Sequence, residues 1–62
     1  MSNVTITTKL THVEAEALAQ FFKRAYFGDY RTNAASEREA YQMMSAANKI
    51  RDALAEKGFA PR

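Results

Sequence analysis

Hydrophobic and polar positions alternate with a period of two near the start of the chain. In residues 3–10, Val4, Ile6, Thr8 and Leu10 fall on one side of an extended backbone, and polar residues fall on the other. β-Branched residues with this period predict a β-strand. No second strand pattern follows, so the backbone groups of this segment have no partner strand in the same chain. We therefore expect a strand or extended arm that lies on the helices or pairs with another chain.

The period becomes helical at Thr11, and the pattern predicts helix 1 over residues 11–27. Thr11 and Glu14 have the spacing of a capping box, in which each side chain accepts from the other residue's backbone amide. Gly28 suits the left-handed conformation that often ends a helix. The predicted apolar face holds Leu18, Phe21, Phe22 and Ala25.

A second amphipathic helix is predicted over residues 36–57, after a connection at 28–35 that is rich in turn-forming residues. Ser36 and Glu39 form a second candidate capping box. Apolar residues then recur at spacings of three and four, which is an a/d seam. The seam holds Ala40, Met43, Ala47, Ile50 and Leu54.

The end of the second helix is marked as clearly as its start. Gly58 fits the left-handed position of a Schellman motif, in which Phe59 folds back onto Leu54, and Pro61 cannot continue a helix. Residues 58–62 are thus a capped tail. The predicted fold is one mainly α domain, with an N-terminal strand or extended arm followed by an antiparallel two-helix hairpin.

The length of the chain favours dimerisation. A domain of 62 residues buries only about 60% of the surface that its unfolded chain exposes, and such domains usually depend on a disulfide, a metal or a partner chain. The sequence has no cysteine and one histidine, so a disulfide is excluded and a zinc site is not expected. We therefore expect a homodimer.

Charge and hydropathy limit the classes of partner. Nine basic and seven acidic residues give a net charge of +2, and the excess comes from Lys9 and Arg62 near the two ends. This is a mixed surface, without the basic stripe typical of nucleic-acid binding. No apolar run approaches the roughly 20 residues of a membrane span, and the first residues lack the features of a signal peptide. We expect a cytoplasmic protein with no membrane partner.

Catalysis is not expected. A Ser/His/Asp triad would have to use His12, and no Cys/His pair is possible. Neighbouring carboxylates such as Glu14 and Glu16 point apart on a helix, because two residues span about 200°. The sequence predicts no enzyme activity, no metal site and no cofactor.

Aromatic residues around the end of helix 1 are the main candidates for a binding site. Aromatic side chains and arginines are enriched in the parts of interfaces that contribute most to affinity. The same aromatic residues could instead close one end of a small core. The candidate partner-binding residues are Arg24, Tyr26, Phe27, Tyr30, Arg31 and Tyr41.

Nucleic-acid binding is an alternative, because a strand followed by two helices is the layout of ribbon-helix-helix repressors. In those dimers two strands pair and enter the major groove. Thr5, Thr7 and Lys9 would face the bases, and Ser36 at a helix start would hold a phosphate. A single basic residue on the strand and a long helix connection weigh against this hypothesis.

The segments LTHVEAEALAQFFKRAYFGDYR, EAY and KIRDALAEKGFAPR, between Leu10 and Arg62, resemble a group of small uncharacterised helical proteins of proteobacterial genomes, prophages and other mobile elements. The resemblance implies a short, non-enzymatic accessory protein. By analogy of size and context, it suggests an inhibitor that binds a host protein, as anti-CRISPR and other anti-defence proteins do. The alternatives are a dimeric DNA-binding regulator and a structural homo-oligomer.

Overall fold

The computed structural model describes residues 2–59, and the fold is mainly helical. The helices are α1 (His12–Arg24), α2 (Phe27–Thr32) and α3 (Glu37–Glu56), and both α1 and α2 contact α3. Within the described residues, none of these helices combines the length and apolarity needed to cross a membrane.

The segment at 3–10 forms no strand, so of the two predicted states the extended arm is the one observed. Every residue from 2 to 10 is exposed, including Val4 at 84% and Ile6 at 83%. The other predicted state, a strand, needs a neighbouring strand to satisfy its backbone groups, and pairing with another chain stays a prediction.

The predicted capping box at the start of α1 is confirmed. The Glu14 amide donates to Thr11 Oγ1 at 3.1 Å, and the Thr11 amide donates to Glu14 Oε1 at 2.8 Å. Two amides that have no partner within the helix are thereby satisfied.

Removal of this cap is expected to destabilise the protein. Thr11→Ala deletes the hydroxyl acceptor and should lower the free energy of unfolding by about 1 kcal/mol, as measured by urea denaturation. Thr11→Ser keeps the acceptor and should retain most of that stability. Equal losses in the two variants would contradict the capping role.

Helix α1 ends at Arg24, before the predicted end at residue 27, and Ala25 and Tyr26 are extended. Gly28 was predicted to stop helix 1, and this was wrong: it lies inside α2, and Gly58 alone among the described glycines has a positive φ. The Asp29 carboxylate accepts from the Tyr26 amide at 2.7 Å and starts the new helix there. Most of the predicted connection at 28–35 is therefore helical.

The start of α3 is close to the prediction, but its capping box is only half formed. Ser36 Oγ accepts from the Glu39 amide at 3.2 Å, as expected. The Glu39 carboxylate instead accepts from the Ala35 amide at 2.8 Å, one residue before the N-cap. The Glu39 carboxylate therefore fixes the residue before the N-cap and not the N-cap residue itself.

The predicted Schellman motif at the end of α3 is confirmed. Gly58 has φ +92°, its amide donates to the Ala55 carbonyl at 3.0 Å, and the Phe59 amide donates to the Leu54 carbonyl at 2.9 Å. The rest of the predicted capped tail, with Pro61 and Arg62, lies outside the described residues.

The buried core consists of alanines, at Ala15 and Ala19 in α1 and at Ala40 and Ala47 in α3. Most of the large residues predicted for the core are only half-buried, and two of them are exposed, Phe21 at 55% and Ile50 at 48%. The face of α1 that is buried is thus the one that carries Ala15 and Ala19. Small side chains allow helix backbones to approach closely, and larger residues then lie at the edges of the contact.

Candidate protein-binding surface

Four aromatic residues, Tyr26, Phe27, Tyr30 and Tyr41, form what we call the aromatic patch, which spans α2 and the first turns of α3. The rings of Phe27 and Tyr41 lie 4.9 Å apart between centroids, with their planes inclined by 39°. This contact joins two residues that are far apart in sequence, and it places the patch where α2 packs on α3.

Phe27 was the residue for which the core and interface interpretations differed most. It is half-buried, because the new helix that begins at Phe27 turns its side chain towards Tyr41. Tyr30, one turn further along α2, is also half-buried. These two residues therefore contribute to local packing and still expose part of their rings.

Tyr26 differs from the other members of the patch. It is 78% exposed, and it is the N-cap residue of α2. Because its amide is held by the Asp29 carboxylate at 2.7 Å, the backbone beneath this exposed ring is fixed. Tyr41 is also more than half exposed. Because the backbone that carries Tyr26 is already ordered, binding through its ring would cost little further backbone entropy.

Side-chain hydrogen bonds hold α2 along its length. Thr32 Oγ1 donates to the Gly28 carbonyl at 2.8 Å, and Asn33 Nδ2 donates to the Asp29 carbonyl at 2.8 Å. These contacts satisfy carbonyls of a six-residue helix, which is too short to be stable by itself. The residues of the patch that lie on α2 are therefore carried by an ordered helix.

The two candidate arginines are both exposed, and Arg31 directly follows Tyr30 of the patch. Arg31 Nη1 donates to the Ala34 carbonyl at 3.2 Å, which orients its guanidinium over the loop before α3. Arg24 is the last residue of α1. Each guanidinium keeps donors available for a carboxylate or carbonyl of a partner.

The candidate DNA-binding residues have a different environment. Thr5, Thr7 and Lys9 are exposed on the arm. The Ser36 hydroxyl already accepts from the Glu39 amide. Glu37 and Glu39 lie in the first turn of α3, where they place negative charge at the proposed phosphate site. This end of the helix is therefore poorly suited to an anion.

An interaction that the sequence did not reveal joins the first residue of α1 to the last described residue of the chain. The rings of His12 and Phe59 meet edge to face, with centroids 4.8 Å apart. Phe59 was predicted to fold back onto Leu54. The partner of its ring is His12, which lies 47 positions away in sequence, so no local sequence pattern indicates this pair. His12 therefore packs at the junction between the start of α1 and the end of α3.

Two concave regions adjoin this junction. One of about 320 Å³ is lined by residues that include His12, Glu16 and Phe59. The other is an open groove of about 710 Å³ between the arm, α1 and the second half of α3. Its apolar lining includes Ile6, Leu10, Leu18, Ile50, Leu54 and Phe59. Among residues 2–59 no cluster of His, Cys, Asp or Glu side chains is arranged to hold a metal ion.

These features describe a small, mainly helical protein with an aromatic patch at one end and an apolar groove at the other. Residues 1–62 match a family of unknown function (DUF7706), and the chain belongs to that family. No curated protein and no solved structure matches the chain.

Proposed function

We propose that this is a non-enzymatic accessory protein that binds another protein through the aromatic patch. The exposure of Tyr26 on a fixed backbone is the observation that carries the proposal. Tyrosine combines a large apolar area with a hydroxyl that can form a hydrogen bond, and it is enriched among the residues that dominate binding energy.

The surroundings of Tyr26 support the same function. Phe27, the next residue along the chain, packs on Tyr41, and Arg24 and Arg31, which are close to Tyr26 in sequence, are both exposed. A partner surface with an apolar pocket and a nearby carboxylate would complement this arrangement. In the proposed role, binding blocks the partner, as an inhibitor carried by a phage or another mobile element would do.

Tyr26→Ala is the variant that tests this function. Loss of a central tyrosine should weaken binding by about 2 kcal/mol or more, roughly 30-fold in Kd. The free energy of unfolding should change by less than about 0.5 kcal/mol, because the ring is exposed. The partner is first captured from native-host lysate with the wild-type protein and identified by mass spectrometry. Its affinity is then measured by titration calorimetry.

Phe21→Ala is the matched control, because Phe21 is also an exposed aromatic residue but lies outside the patch. It should leave the affinity for the same partner unchanged. If Tyr26→Ala bound as tightly as wild type, or if the two variants lost the same affinity, the patch would not be the binding surface.

We also propose that α1 and α3 form an antiparallel hairpin that is completed by a second copy of the chain. The contact between His12 and Phe59 supports the antiparallel direction, because it puts the first residue of α1 beside the end of α3. The lack of any large side chain that is fully buried, within the described residues, supports completion by another chain.

A further inference from the structure

The chain exposes more surface than its mass requires. A compact monomer of 7.0 kDa should expose about 4,000 Å², whereas the accessible surface is 5457 Å². The radius of gyration of 12.6 Å also exceeds the value of about 10.6 Å expected for a domain of this length. The excess area of about 1,400 Å² is comparable to the roughly 1,000 Å² or more that each chain buries in an obligate homodimer.

Part of this excess is an apolar stripe on α3, beside the face that contacts α1. Ala46, Ile50 and Ala53 recur at spacings of four and three and are all exposed. Ile50 and Ala53 also line the groove between the arm, α1 and α3. The stripe therefore continues into a larger apolar surface and has the spacing of a helix–helix seam.

We infer that this groove is a homodimer interface in which the α3 helices of two copies cross in antiparallel orientation around Ile50 and Ala53. The two-fold axis passes between these residues, so that Ile50 of each chain faces Ala53 of the partner subunit. The arm forms the other wall of the groove, and its Ile6 and Leu10 then contact the partner helix. This inference rests on the homodimer proposed above and specifies its surface.

The charges beside the stripe fit this orientation. Lys49 and Glu56 are both exposed and lie seven residues apart on one flank of the stripe, and Lys49 also lines the groove. In an antiparallel pair these flanking positions face each other across the seam. The pairing that sets Ile50 opposite Ala53 places Lys49 beside Glu56 of the partner subunit, and the symmetry repeats the pair. In a parallel pair in register, Lys49 would instead lie beside position 54 of the partner helix, which is a leucine, and this ion pair would not form.

A second copy is the occupant that these observations favour. In the antiparallel arrangement the Lys49–Glu56 pair occurs twice, as two-fold symmetry requires, while the charged residues that line the groove itself are Lys49 and Lys57. Burial of this surface would also stabilise the fold, because the only buried apolar residues among those described are four alanines. A partner needed for folding must be present whenever the chain is made, and another copy meets that condition.

Sedimentation of the full chain over micromolar concentrations tests the inference. Wild type should be a dimer. Ile50→Glu should raise the dissociation constant by about 100-fold, because it buries an unpaired charge. Lys49→Glu and Glu56→Lys should each raise it by about tenfold through two repulsive contacts. The double variant Lys49→Glu/Glu56→Lys should return to within about threefold of wild type.

Asp52→Lys is the matched control, because it makes the same charge change as Glu56→Lys one turn away, off the stripe. It should leave dimerisation within about threefold of wild type. Circular dichroism on each variant reports folding separately, and the charge variants, at exposed positions, test the surface even if Ile50→Glu unfolds the chain. A dimer that is indifferent to all of these changes would overturn the interface and leave the proposed dimer intact. A wild-type monomer would overturn both.

Discussion

The Ala19→Leu variant is expected to lose about 2 kcal/mol of its free energy of unfolding, and its melting temperature should fall by about 10 °C. Ala19 is 2% exposed on the face of α1 that packs inwards. A leucine at this position must push the helices apart, and the half-buried residues around the contact would then lose their packing. Because the domain is small, this loss is a large fraction of its total stability.

Ala17→Leu is the matched control for this prediction. It makes the same substitution two positions earlier in α1, at an exposed site, and should change the free energy of unfolding by no more than about 0.5 kcal/mol. Both variants are compared by urea and thermal denaturation at one protein concentration, because the proposed dimerisation would make stability depend on concentration. Similar losses in the two variants would mean that the alanine face is not the packing surface.

The two glycines are expected to respond to alanine with opposite signs. Gly58 has φ +92° in the Schellman motif, so Gly58→Ala should lower the free energy of unfolding by about 1–2 kcal/mol. Gly28 lies in α2 without a positive φ, and no atom lies within 4 Å of the position that a Cβ would occupy. Gly28→Ala should therefore raise the free energy of unfolding by about 0.5–1 kcal/mol.

These two variants are compared in the same denaturation experiments, and each serves as the other's control for the change from glycine to alanine. A loss at both positions would indicate that Gly28 does act as a helix stop, as the sequence first suggested. A gain at both would mean that Gly58 is not held in the left-handed region.

Helix ends were predictable where the contacts that make them are local. The reciprocal bonds of Thr11 and Glu14, the Ser36 hydroxyl and the left-handed Gly58 each act within a few residues. The end of α1 was not predictable in the same way, because Gly28 and Asp29 fit two outcomes. They can close a helix, or Asp29 can start a new one by accepting from the Tyr26 amide, which is what the structure has.

The core was harder to predict, since helical periodicity identifies an apolar arc but does not fix which part of it faces the neighbouring helix. Large residues such as Phe21 and Ile50 were assigned to the centre because of their hydrophobicity. The buried residues are instead Ala15, Ala19 and Ala47, with Ala40 fully enclosed. Which part of an apolar arc faces inwards depends on how closely the backbones approach, and this is a property of the pair and not of either helix.

The aromatic patch was predictable in composition but not in arrangement. Its residues were recognised because they cluster near a turn. The contact of Phe27 with Tyr41 depends on α2, and the contact of His12 with Phe59 depends on the packing of α1 along α3. The division of the patch into packed and exposed rings therefore required the tertiary structure.

The alanine core has a consequence for how this family can diversify. In most domains the largest apolar residues are constrained by the fold, and the surface is free to vary. Here we expect enlargement to be least tolerated at two of the smallest side chains, Ala19 and Ala40, because they are enclosed, while bulky residues such as Tyr26 are exposed. A lineage could therefore replace its aromatic surface, and change what it recognises, with little effect on the helix contacts that define the fold.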